Sequence, residues 1–153
     1  DWRAVIVGRL HEPGHVAELH KLHDLLGLAE RVTLAGELDA AELSALYAQA
    51  SLFALATRYE GYGMVLSEAQ QHGLPVISCD TGAVPEALDG SGLLAPPDDA
   101  PAFAAHLRAV LRDADLRARL RAQSRARAAR LPTWDDAAWV MAQAVAAAQP
   151  VQG

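Results

Sequence analysis

Two glutamates with seven residues between them, in Glu60-Gly-Tyr-Gly-Met-Val-Leu-Ser-Glu68, are the residues of this chain best placed to do chemistry. The apolar run Leu52-Phe-Ala-Leu-Ala56 ahead of them reads as a buried strand, and the stretch behind them as a helix. A carboxylate at a strand's end, a glycine-flexed turn and a second carboxylate one turn into the next helix suit a polar ligand. Sugars and riboses carry hydroxyl donors that carboxylates accept. The helix opening near Gly63 also has unbonded N–H groups and the positive end of its dipole, which favour a phosphate. Gly61 and Gly63 let a ligand approach the backbone closely. Blander readings stand beside this one: the glycines as plain turn residues, the glutamates as unrelated surface carboxylates. Another takes the glutamates as the acid and nucleophile of a glycoside hydrolase.

The elements that must position these residues alternate along the chain, which predicts an α/β, Rossmann-like fold with a mostly parallel sheet flanked by helices. Strands are expected at Ala4–Val7, Arg31–Ala35, Ser51–Ala56, Pro75–Ser78 and Leu93–Ala95. Between them, Val16, Leu19, Leu22, His23 and Leu26 recur at helical spacing, closed by Gly27. Asp39 and Glu42 form a capping box for a helix that runs to about Ala50. The helix after the site runs from about Gly63 to His72, and Pro85 opens a short one. From Asp98 onward a helical tail is expected, over about 98–112, 114–130 and 134–149, with Asp98 or Asp99 and Thr133 as caps. In open α/β sheets ligands bind at the carboxyl ends of the strands, where the glutamate segment falls. No internal boundary shows, so one domain over residues 1–153 is expected.

Composition narrows the classes. A net charge of −6 argues against bulk attraction to nucleic acid. Cys79 is the only cysteine, so no intramolecular disulfide can form and a reducing, cytoplasmic setting is the simplest. The segment His11-Glu-Pro-Gly-His15 matches the zinc-protease pattern, but Pro13 and Gly14 break the helix that pattern needs, so no metal is expected there. His20 and His23, three apart, could pair, but solvent-facing helix positions explain them as well. Arg117, Arg119, Arg121, Arg125, Arg127 and Arg130 read as a solvated helix face; the sharper alternative is docking on anionic lipid, which would place the chain peripherally on the inner face of the membrane.

The run Arg58-Tyr-Glu-Gly-Tyr-Gly-Met-Val-Leu-Ser-Glu-Ala-Gln-Gln-His-Gly-Leu-Pro-Val-Ile-Ser78 resembles the signature of retaining glycosyltransferases of the family-4 type (glycosyl transferases group 1), which have the two-domain GT-B architecture. Arg31–Gly36, Leu46–Ala48, Thr81–Glu86, Gly92–Leu94 and the Trp134 segment resemble the family's flanking elements in order and spacing. The resemblance implies a C-terminal, donor-binding domain for a nucleotide-diphosphate sugar, with no metal or other cofactor. It implies that Glu60 meets hydroxyls of the donor sugar as the catalytic-site carboxylate. Gly61, Tyr62 and the backbone N–H groups around Gly63, Met64, Val65 and Leu66 would meet the sugar and diphosphate, Glu68 would accept from the ribose, and Leu38 would lie near the nucleobase. Where the family usually has two adjacent glycines, this chain has Gly82-Ala83, and Ala56-Thr57 replaces a common Pro-Ser. Only 27 residues separate Gly8 from Gly36, which matches Ala4–Val7 to the family domain's second strand. The first strand, the basic diphosphate clamp and the N-terminal acceptor domain are then expected outside this sequence. A sheet without its central strand exposes edges, so weak stability or self-association is expected, and this chain alone is expected to be inactive in transfer.

Overall fold

The computed structural model describes residues 2–9 and 13–148. Residues up to Ala50 form one compact unit and those from Ser51 a second. The strands form two parallel sheets, one in each unit. Seven helices accompany them among the described residues, and the fold is Rossmann-like.

In the first unit, β1 (Ala4–Val7) pairs in parallel with β2 (Val32–Gly36), and the register slips between Ile6 and Val7. The connection is α1 (Pro13–Leu25), which starts at Pro13 rather than breaking there. Proline lacks an N–H that the first turn leaves unbonded in any case, so it serves as a start. The helix thus takes in His15; His11 and Glu12 lie outside the described residues. His23 is not solvent-facing as expected. It is half-buried, with Nε2 2.9 Å from the carbonyl oxygen of Val32 and Nδ1 3.3 Å from Asp24. The bond to Val32, then the one to Asp24, raises its pKa above the ordinary histidine value. After β2 the predicted capping box is present: Glu42 N–H donates to Asp39 Oδ1 at 2.8 Å and Asp39 N–H to Glu42 Oε2 at 2.9 Å. It opens α2 (Ala40–Gln49), whose Tyr47 is buried.

The second unit holds β3 (Phe53–Leu55), β4 (Val76–Cys79) and β5 (Gly92–Ala95), in that order and all parallel. Strand β4 is central and buried throughout, as a continuous apolar strand in a parallel sheet should be. Strand β3 is shorter than predicted because its only ladder, with β4, pairs Phe53–Leu55 alone. The crossovers are α3 (Met64–Gln71) and α4 (Val84–Leu88), with Pro85 at the second helical position. Three more helices follow: α5 (Ala100–Arg112), α6 (Ala114–Ala128) and α7 (Trp134–Ala147). Asp99, not Asp98, caps α5, and Thr133 with Asp136 boxes α7. Ile77, Val110 and Leu120 centre the core, with Phe103, Leu107 and Leu116 packed against them. Helix α7 buries no residue of its own and exposes Trp134 and Trp139. Among the described residues no helix is long and apolar enough to cross a membrane.

Candidate functional site

Because β3, β4 and β5 run in parallel, the loops that leave their carboxyl ends gather on one edge. These loops are residues 56–63, 80–83 and 96–99, and they are tied together. Thr81 Oγ1 donates to the Arg58 carbonyl at 3.0 Å, and Ala83 N–H to the Glu60 carbonyl at 2.9 Å. Gly82 sits between these two bonds with φ +52°, and a Cβ there would overlap the carbonyl oxygen of Glu60. From the third loop, Asp98 accepts from Arg58 Nε at 2.7 Å. That hydrogen bond first, and the charge of Asp98 second, raise the Arg58 pKa further above its ordinary value. The segment from Arg58 to Glu60 is therefore held from the ends of both β4 and β5. Sequence reasoning did not assign this bracing; its signal was Thr81-Gly82 directly after a strand on the same edge as the glutamates. The Gly82-Ala83 departure also has a physical account, since Ala83 has φ −82° and needs no glycine.

Gly63 caps α3 in a left-handed conformation, with φ +85°. A Cβ there would lie 3.0 Å from that of Ala87, so the close approach of α4 also demands glycine. Glycine has no side chain to cap the helix. Glu60 does so instead, through Oε1, which accepts from Gly63 N–H at 3.0 Å and Tyr62 N–H at 3.3 Å. Among the described residues no donor meets Oε2. The N–H groups of Leu66 and Ser67 turn back to the Gly63 carbonyl at 3.0 and 3.1 Å. This leaves Met64 and Val65 as the first-turn N–H groups that meet no acceptor among the described residues. The donor row predicted over Gly63 to Leu66 is thus narrower, because Glu60 and the helix itself engage its two ends.

The side chains divide accordingly. Leu66 is wholly buried, on the core face with Ala69 and Gln70. Gly61, Tyr62, Met64 and Val65 are exposed, and Tyr59, which was not singled out, is 78% exposed with its ring against Gly61. Glu68 is half-buried. It stands about 200° around the helix from Gln70 and one turn beyond Met64 and Val65, so one face of α3 carries the open N–H groups and this carboxylate. Leu38 belongs to the first unit, half-buried in the turn between β2 and α2.

Three of the arginines predicted as a solvated face instead fasten α6 to its neighbours. Arg117 donates to the Val110 carbonyl at 2.8 Å at the end of α5, and Arg127 to the Ala87 and Glu86 carbonyls at 3.1 and 3.3 Å on α4. Arg130 pairs with Asp89 at 3.3 Å. Helix C-termini present unpaired carbonyls, and guanidinium donors suit them. Sequence periodicity misses this because the acceptors lie on other helices. Among the described residues no three His, Cys, Asp or Glu side chains gather to hold a metal ion.

The model of the family described as Glycosyl transferases group 1 matches residues 1–113. The chain is 34% identical over 139 residues to the D-inositol 3-phosphate glycosyltransferase of Xylanimonas cellulosilytica, covering 90% of this chain and 33% of that protein. It is 35% identical over 106 residues to the lipopolysaccharide core biosynthesis mannosyltransferase LpsB of Rhizobium meliloti, covering 65% of this chain and 29% of that one. The chain spans about a third or less of the length of these curated relatives. Among solved structures, HepE of Anabaena in complex with UDP superposes with a TM-score of 0.86 at 26% identity, over 96% of this chain and 41% of that one. Sucrose-phosphate synthase from Thermosynechococcus elongatus superposes with a TM-score of 0.81 at 29% identity, over 93% of this chain and 37% of its own.

Proposed function

Because this chain belongs to the glycosyl transferases group 1 family, we propose that it is the donor-binding part of a glycosyltransferase, holding a nucleotide-diphosphate sugar for retaining transfer of a hexose to an acceptor. One observation carries this reading: the Met64 and Val65 N–H groups open beside the Glu60 carboxylate at a strand's end, on the same helix face as Glu68. The two N–H groups and the α3 dipole receive the diphosphate and stabilise the charge it gains as the sugar leaves. Glu60 Oε2 accepts from the sugar hydroxyls while Oε1 stays on the helix. Glu68 accepts from the ribose. A leaving phosphate oxygen on the reacting face deprotonates the acceptor, so Glu60 orients the donor and is not the nucleophile. UDP is the nucleotide to test first, because HepE is a structural neighbour solved with it.

Titration calorimetry of the chain with UDP tests the reading. Charge-assisted hydrogen bonds contribute about 1.5–3 kcal/mol, so Glu68→Ala is expected to weaken UDP binding roughly 10- to 100-fold. Glu18→Ala, an exposed carboxylate in α1, is expected to leave it unchanged. Equal affinity in Glu68→Ala and the unmodified chain would remove Glu68 from the site.

A further inference from the structure

We propose that Gln70 is a positioning residue: its buried amide sets the rotation of α3 and thereby aims the open N–H groups and Glu68. The inference deepens the donor-site reading and rests on it. Gln70 is wholly buried. Its Nε2 donates to Ser91 Oγ at 2.7 Å and reaches the Ala87 carbonyl at 3.5 Å. Ser91 Oγ in turn donates to the Leu88 carbonyl, so the chain of bonds runs from α3 to the turn between α4 and β5. Ser124 of α6, also buried, donates to the Leu74 carbonyl at 2.7 Å, just after α3. Helix α3 is thus gripped at its back by polar contacts from two directions.

Stability alone does not explain this amide. Gln70 Oε1 is buried and has no donor among the described residues. A buried amide with an orphaned oxygen contributes little net stability, and an unbranched apolar side chain would suit a face shared with Leu66 and Ala69. What a hydrogen bond adds is direction, which apolar contact lacks. Helix α3 is only eight residues long, and Leu66 and Ala69 meet the core by apolar contact alone, so the Gln70 amide is the directed side-chain bond on its buried face. Gln70 and Glu68 stand about 200° apart on it. A turn of the helix at the back swings the carboxylate and both N–H groups at the front.

The test is Gln70→Met, which keeps length and removes the polar bonds while Ser91 stays bonded to Leu88. Thermal unfolding is expected at the same or a higher temperature, while calorimetry shows UDP binding about 5- to 20-fold weaker. Amide exchange at Leu66 and Ser67, whose N–H groups close the first turn on Gly63, is expected to speed up in the same variant. A merely structural role would lower stability and affinity together, and that outcome, or UDP affinity within twofold of the unmodified chain, overturns the proposal. Should Gln70→Met not fold, Ser91→Ala removes the acceptor from the other side and is expected to weaken UDP binding in the same direction; unchanged affinity there overturns the proposal equally. If the unmodified chain binds no UDP, the donor-site reading is what fails. The exchange rates of the free protein then decide on Gln70, and unchanged rates refute it.

Discussion

Gly82→Ala is expected to reduce UDP binding by more than about 100-fold, although the residue itself has no atom to offer a ligand. Its backbone is left-handed at φ +52°, which costs alanine about 1–2 kcal/mol. Gly90→Ala, at φ +77° with nothing within 4 Å of its Cβ, carries that conformational cost alone. The difference at Gly82 is the carbonyl of Glu60, which a methyl group would overlap. Backbone on both sides must then part, and the bond from Ala83 N–H to that same carbonyl opens with it. Once the Glu60 segment moves, its carboxylate leaves the start of α3, and the helix loses its cap while Met64 and Val65 lose the fixed place from which their N–H groups meet the diphosphate. Both variants should melt lower, Gly90→Ala by a few degrees. Calorimetry with UDP separates them: Gly90→Ala should bind like the unmodified chain. If Gly82→Ala binds UDP as Gly90→Ala does, the bracing of Glu60 by the neighbouring loop has no functional weight.

Much of this site was legible in the residues, and the illegible parts share a cause. Asp39 with Glu42, and Thr133 with Asp136, announce helix starts because a cap and its reciprocal partner lie three residues apart in the chain. The apolar start of β4 announces a buried parallel strand because both of its faces are covered. Each of these signals is local. The misses are interactions whose second partner is distant. His23 reads as a surface position until Val32 supplies its carbonyl. Arg117 and Arg127 read as solvated until the ends of α5 and α4 supply theirs. Arg58 finds Asp98 forty residues on. Pro13 shows another kind of ambiguity, since the same missing N–H that forbids a helix interior permits a helix start. Glu60 is the most instructive. Capping a helix and accepting from a sugar are the same chemistry, a carboxylate receiving donors, and spacing alone cannot divide its two oxygens between them.

That division predicts opposite effects on two ligands. Glu60→Gln keeps an oxygen to accept from Gly63 and Tyr62, so α3 retains its cap. It removes a negative charge from beside the N–H groups proposed to receive the diphosphate. Two negative charges about 6 Å apart at a protein surface repel by roughly 1 kcal/mol. UDP, which has no sugar to satisfy Glu60, should therefore bind about five- to tenfold more tightly to Glu60→Gln. UDP-glucose gains from the same relief but loses the carboxylate that accepts from its hydroxyls, and a neutral acceptor is worth about half a charged one. The advantage of UDP-glucose over UDP should thus shrink by about tenfold or reverse. Paired titrations of the unmodified chain and Glu60→Gln with the two ligands give that ratio directly. An unchanged ratio with UDP bound more tightly would mean that Glu60 does no more than cap its own helix, while equal loss of both affinities would show that the carboxylate's charge is what holds that cap in place. Glu60→Ala separates these further: without any acceptor at the helix start, both ligands should bind more weakly and α3 should fray from Gly63, which amide exchange at Leu66 and Ser67 would register.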